Sequence, residues 1–230
     1  WLAAWATKAE GVIVHVARSE RRARLLARAV GSLVGDGKAL PFPAWDSLPY
    51  DRVPPSRAVI GRRLATLRLL EDGGSPDRVV LTSVEALSQR IAGEPAAAAA
   101  CTLATGDALD PEELSTWLRA HGYVLDERVD QPGEAALRGA VVDLFPAGDE
   151  LPCRLDLDEG RIAAIRRYDP LTQRSIASID RIVLDAAEEA AMQPAATLLE
   201  RLPGVRLVLD AGVEPRREAF LELVREAHAA

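Results

Sequence analysis

The chain has 230 residues, room for one large domain or two small ones, and its 48% hydrophobic and 27% charged content is that of an ordinary soluble globular protein. A net charge of −7 argues against a broad nucleic-acid surface, which needs clustered Lys and Arg. The longest apolar runs fall far short of the ~20 residues of a membrane span. Cys101 and Cys153 share no metal-ligand spacing with each other or with His15, His121 and His228, and read as two reduced thiols of a cytosolic protein. The opening WLAAWATKAEG has no basic start followed by an apolar block, so no secretory signal is read there. It also lacks an initiating Met and starts inside a helix-like pattern, which suggests a piece of something longer.

GVIVHVA (11–17) is a short β-branched apolar run, the pattern of a buried parallel strand. The next segment, RSERRARLLARAVGSLVG, places Ala23, Leu26, Ala27, Ala29 and Val30 at helical spacing. KALPFPAWDSLPYDRVPPS (38–56) is a brief strand running into a proline-studded loop. Ser56 then offers an N-cap to a helix with Val59, Ile60, Leu64, Leu67 and Leu70 on one face. GGSPD (73–77) breaks it, and RVVLTSVEALSQRI is a second buried strand leading into a short helix. This alternation predicts an α/β layer with a parallel sheet.

After EPAAAAA (94–100) the pattern changes. Asp110-Pro111-Glu112-Glu113 supplies a cap, a proline for the first helical position and acids at the positive end of the dipole, and that helix ends at His121-Gly122. From Tyr123 to about Asp185 the period falls to two. VVDLF, RLDLD and RIAAIRRYD read as strands, with Glu159-Gly160 as a hairpin turn. The last segment, GVRLVLDAGVEPRREAFLELVREAHA, is strand then helix again and reads as a return to the first sheet. The layout is therefore 1–100 for the first part of an α/β domain, 101–187 for an inserted β-rich domain, and 188–230 for the return.

Residue types that carry catalysis are not arranged for it here. GSLVGDGKA (31–39) lacks the hydroxyl that ends a phosphate loop and follows a helix where a strand is needed, so it reads as a helix C-cap and turn. LVLD (207–210) is followed by Ala211 where a catalytic Glu would stand, and reads as a plain strand end. No G-x-S-x-G elbow is present. Asp156, Asp158 and Glu159 read as solvated turn charges, with alternation placing Asp156 and Asp158 on one face. Trp45 and Tyr50 in the proline-rich loop are candidates for stacking on a base, with covering a sheet edge as the plainer role. Arg18, Arg21, Arg22, Arg24 and Arg28 on the first helix read as a solvated face, with contact with a partner domain or nucleic acid as the alternative.

The stretches PFPAWDSLPYDRVPPSRAVIGRRLATLRLL, VVLTSVEALSQRI and GEAALRGAVVDLFPAGDELPCRLDLDEGRIAAIRRYDPLTQRS together resemble the N-terminal part of the bacterial transcription-repair coupling factors. That region is itself similar to the excision-repair helicase UvrB. The resemblance runs from Gly11 to about Asp185, and LVLD…EPRREAFLEL is a weaker match. It implies a degenerate RecA/helicase-like parallel-sheet domain with an inserted β-rich α+β domain that binds UvrA, and no catalytic activity or cofactor of its own. The module would recruit UvrA to RNA polymerase stalled at DNA damage, in the cytoplasm. Other contacts would be with distal domains of a full-length factor, restraining its motor, with little or no DNA contact and none with a membrane.

In the family, UvrA is met by two arginines and an aromatic residue. The first arginine belongs to R-G-A-x-x-D-L-F-P and falls on Arg138; the second, in E-L-P-x-R-L-D, falls on Arg154. The aromatic, four residues further on, falls on Asp158, a departure that replaces an apolar anchor by a carboxylate and leaves neighbouring Leu157 as a substitute. Arginine suits this work because its planar fork pairs bidentately with carboxylates. The plain structural role for the two arginines is pairing with Glu134 or Asp156 across the sheet. Two rival readings are a stand-alone scaffold that kept the fold and lost UvrA, and a UvrB-type ATPase whose nucleotide site lies outside the sequence.

Overall fold

The computed structural model describes residues 2–4, 11–35, 37–47, 53–72, 77–92, 96–188 and 194–229. In chain order the elements begin with β1 (Val12–Ala17), α1 (Glu20–Val34), β2 (Ala39–Phe42), α2 (Arg57–Glu71), β3 (Arg78–Ser83), α3 (Val84–Ser88) and β4 (Arg90–Ala92). They continue with β5 (Cys101–Ala104), α4 (Pro111–Ala120), β6 (Val124–Leu125), β7 (Glu134–Arg138), β8 (Val141–Leu144), β9 (Cys153–Asp158), β10 (Arg161–Tyr168), β11 (Ser175–Ile179) and β12 (Arg181–Leu184). Last come β13 (Pro194–Thr197), α5 (Leu198–Arg201), β14 (Arg206–Leu209) and α6 (Val213–Ala229). The chain forms two compact units, one of residues 1–56, 66–94 and 192–230, the other of residues 57–65 and 95–191.

The first unit is built on a four-stranded parallel sheet in the order β14-β1-β3-β2. Its central strands are mainly apolar because both faces are covered: Ile13, Val14, Val79, Val80 and Leu81 are all buried. Helix α1 starts where the Ser19 hydroxyl accepts the Arg22 N–H, and it stops at Gly35 with φ 86°, whose N–H donates to the Gly31 carbonyl. Its Ala27 and Val30 pack with Ile13, Val79 and Leu81. The closing LVLD segment does return to this sheet, as β14 paired in parallel with β1.

The second unit holds a six-stranded sheet in the order β11-β10-β9-β8-β7-β6, antiparallel except for β6–β7, and the antiparallel pair β5–β12. Alternation along β8 and β9, and along β10 with a bulge between Ile162 and Ala164, turns Val142, Leu144, Leu155, Ile162 and Ile165 to one side, where Leu114 and Leu118 of α4 and Ile182 and Leu184 of β12 complete the core. Asp110 caps α4 by accepting the Glu112 N–H at 2.8 Å, with Pro111 at the first position. The β9–β10 turn at Glu159 (φ 47°) and Gly160 (φ 72°) is left-handed at both central residues, as a two-residue hairpin requires. Tyr123 pins this unit from within, donating to the Asp185 carbonyl at 2.9 Å and accepting the Ala147 N–H at 3.2 Å. The low-complexity alanines 96–99 form a short 3-10 turn just before β5.

Candidate functional site

The strands carrying Arg138 and Arg154 are not adjacent. Arg138 ends β7, Arg154 lies on β9, and β8 runs between them with Asp143 in register opposite Arg154 and Val141 opposite Arg138. Because cross-strand partners share a face, Asp143, Arg154, Asp156 and Arg166 stand together on the side of the sheet away from the core. The β-rich unit thus has an apolar inner face and an outer face of alternating charge.

Asp143 organises that outer face. Its side chain is 3% exposed, and its two oxygens accept from Arg154 Nε at 2.7 Å and Nη2 at 3.0 Å, a bidentate pair. Arg138 Nη2 approaches the same carboxylate at 3.8 Å and also donates to the Glu127 carbonyl, leaving its side chain 52% exposed. The pairing expected with Glu134 or Asp156 does not form. Glu134 accepts the N–H groups of Asp130 and Gln131, and Asp156 pairs with Arg166. Asp143 is not among the site residues read from the sequence, although its place in VVDLFP, two residues from Val141 and in step with RLDLD, carries it opposite Arg154.

Arg154 is further fixed on two sides. Its guanidinium sits 4.9 Å above the centre of the Tyr168 ring, and its Nη2 donates to Gln173 Oε1 at 3.3 Å. Tyr168 is 1% exposed, and its hydroxyl has no hydrogen-bond partner among the described residues, so burial pushes its pKa well above the ordinary phenol range. The hydrogen bond to Asp143 holds the Arg154 guanidinium even more firmly protonated than usual. The arrangement is a permanent cation with a pre-set orientation, able to meet a carboxylate on another surface but offering no nucleophile or proton shuttle.

Asp158 is exposed at the end of β9, beside the hairpin turn. Its cross-strand partner Arg161 donates instead to the Gly106 carbonyl at 2.9 Å. Leu157, the substitute anchor suggested by the sequence, faces the other way: it is only partly exposed and packs against the core. Trp45 lies within the described loop with its backbone N–H donating to Gln89 Oε1 at 3.0 Å, whereas Tyr50 lies outside the described residues.

A second polar cluster belongs to the first unit. Asp210, just past β14, receives Arg22 of α1 through Nε and through Nη2 at 3.4 Å, and lies 3.5 Å from Nε2 of His15, which is 1% exposed on β1. The strand end at LVLD is therefore an ion-paired clasp joining β14, β1 and α1. Burial, opposed by the Asp210 carboxylate, leaves the imidazole below its usual pKa. Among the described residues no three His, Cys, Asp or Glu side chains are grouped to hold a metal ion, and no helix is long and apolar enough to cross a membrane.

Residues 101–189 match the UvrB interaction domain. The chain is 34% identical over 181 residues to the transcription-repair-coupling factor of Haemophilus influenzae, covering 78% of this chain and 16% of that protein. It is 35% identical over 158 residues to that of Escherichia coli, covering 68% and 14%, and 33% identical over 184 residues to that of Mycobacterium bovis, covering 78% and 15%. The chain thus spans about a sixth of the length of these curated relatives.

Proposed function

From the premise that the chain is a relative of the transcription-repair-coupling factors, carrying a UvrB interaction domain over residues 101–189, we propose that it is a docking module that recruits UvrA. The UvrB interaction domain is a protein-binding module rather than a catalytic one. The observation that carries the proposal is the pair Arg138 and Arg154, both directed at one buried carboxylate and both partly exposed on one face of that domain. Each keeps donors for a second carboxylate, and the shared Asp143 has already met the cost of ordering two long side chains. Asp158 stands beside this pair in place of the family's aromatic residue.

In this reading the parallel sheet is a degenerate helicase-like α/β layer, and the β-rich part is an insertion into it. Within a longer protein the module would bring UvrA to RNA polymerase stalled at DNA damage, in the bacterial cytoplasm, and would lean on distal domains to restrain the motor. Calorimetric titration with UvrA of the parent, Arg138→Ala and Arg154→Ala proteins, each checked for folding, tests the recruiting role. Binding by the parent that either substitution abolishes supports it. A parent that does not bind overturns it and leaves the scaffold reading, to which the carboxylate at position 158 lends support.

A further inference from the structure

The arginine pair supplies charge, yet the hairpin tip where an apolar anchor is expected carries Asp158, and Leu157 is turned to the core. We propose that the apolar half of this interface has moved one hairpin along, to Ile176 on β11 and Leu171 in the β10–β11 loop. The proposal rests on the recruiting role argued above and concerns the same face.

Register places Ile176. Arg154 is opposite Arg166, and Arg166 is opposite Ser178, so Ser178 shares their face. Ile176, two residues before Ser178 on β11, returns to that face by alternation. The register shift pairs Tyr168, the ring on which Arg154 rests, with Ser175 and leaves Ile176 as the extra residue of a bulge next to that pair. Ile176 is 57% exposed, and Leu171 at 85% is more exposed than any other large hydrophobic side chain among the described residues. Two such exposed side chains, one at the bulge next to Tyr168 and one in the loop whose Gln173 bonds Arg154, are not explained by the core of this unit.

The loop that presents Leu171 is held in shape. Asp169 Oδ1 accepts the N–H of Leu171 at 3.0 Å, the N–H of Thr172 at 2.7 Å and the Thr172 hydroxyl at 3.0 Å. The Gln173 N–H returns to the Asp169 carbonyl at 2.8 Å, and its side chain spans from the Pro170 carbonyl at 2.9 Å to Arg154. Gln173 therefore couples the loop directly to the arginine that meets the partner. An apolar side chain on a loop ordered before contact loses little conformational freedom on docking. The matching partner surface has carboxylates for Arg138 and Arg154 bordered by an apolar strip for Ile176 and Leu171.

Titration of the parent, Ile176→Ser, Leu171→Ser and Arg154→Ala proteins with UvrA at several temperatures tests this. Both serine variants change only exposed side chains and are expected to keep the parent's melting temperature. The expected result is an affinity about tenfold weaker for each, with a less negative heat-capacity change of binding, the mark of lost apolar burial. Serine variants that bind like the parent, while Arg154→Ala does not, overturn this inference and leave the recruiting role intact. A parent that fails to bind overturns both.

Discussion

Asp143 and Arg154 face each other across β8 and β9, and the buried carboxylate accepts both arms of the guanidinium fork. Asp143 is 3% exposed and Arg154 27%, so deleting the acid leaves a half-buried cation without its partner, whereas deleting the arginine strands a buried anion. Asp143→Ala is expected to cost about 2–3 kcal/mol of stability, read as a lower urea midpoint at unchanged slope. Arg154→Lys keeps the charge but cannot reproduce the fork, so it should retain most of the stability while losing UvrA affinity. A stability unchanged in Asp143→Ala would show that the pair is not what orders this face.

Asp158 offers the converse experiment. It is exposed, so Asp158→Phe restores an apolar side chain at the hairpin tip with little risk to folding. Hot-spot aromatics contribute ~2 kcal/mol or more, so an affinity for UvrA raised up to about thirtyfold is expected. An unchanged affinity would mean that the partner surface no longer reaches the hairpin tip.

Much of this arrangement can be read from the sequence, and the parts that cannot share one physical cause. The parallel strands, the Asp110 cap and the Glu159-Gly160 turn depend on residues a few positions apart, whose signals are local. The face on which Leu157 lies also follows from alternation, because Leu155 on the same side is fully buried. What the sequence could not supply is strand order. That β8 sits between the two arginines, so that both address Asp143 rather than Glu134 or Asp156, depends on pairings between residues distant along the chain. The clasp of Asp210 with His15 and Arg22 is of the same kind: a strand end that looks unremarkable until β14 is laid beside β1.

Gly61 in α2 is required by close approach. A Cβ built there would lie 2.3 Å from the Ala147 carbonyl carbon and 2.6 Å from the Gly148 nitrogen, both backbone atoms that cannot swing aside. Gly61→Ala should therefore destabilise the β-rich unit by about 1–3 kcal/mol, outweighing alanine's better helix propensity. A thermal melt is the check, and a stability equal to or above the parent's would show that the helix and the 147–148 backbone separate at little cost.

The two cysteines should differ in reactivity. Burial pushes the Cys153 thiol up to about 12, against the opposing pull of the Arg167 charge, and Cys153 is fully buried while Cys101 is partly exposed. Since the thiolate is the reactive form, an alkylating reagent at pH 8 should modify Cys101 slowly and leave Cys153 untouched until denaturant is added. Rapid labelling of Cys153 in the native protein would indicate that β9 opens readily.

The clasp on β1 gives the first unit a dependence on pH whose sign is fixed by His15. Burial is the largest influence and pulls its pKa below the ordinary 6.5; Asp210 raises it and Arg22 lowers it, without reversing the direction. The unfolded chain therefore takes up a proton before the folded one does. Stability contributed by the neutral imidazole is complete above about 6.5 and is lost as the pH falls from there toward the folded value. Asp210 titrates below its ordinary 3.8, the Arg22 hydrogen bond and the His15 charge outweighing burial, which opposes them, so it stays ionised across that window. The melting temperature of the parent should fall between pH 7.5 and 5.5, and the fall should be shallower in His15→Asn, which has no group titrating there. Equal slopes for the two proteins would mean that the His15 pKa is the same folded and unfolded, the Asp210 carboxylate cancelling burial, and a steeper fall in His15→Asn would mean that the carboxylate outweighs it.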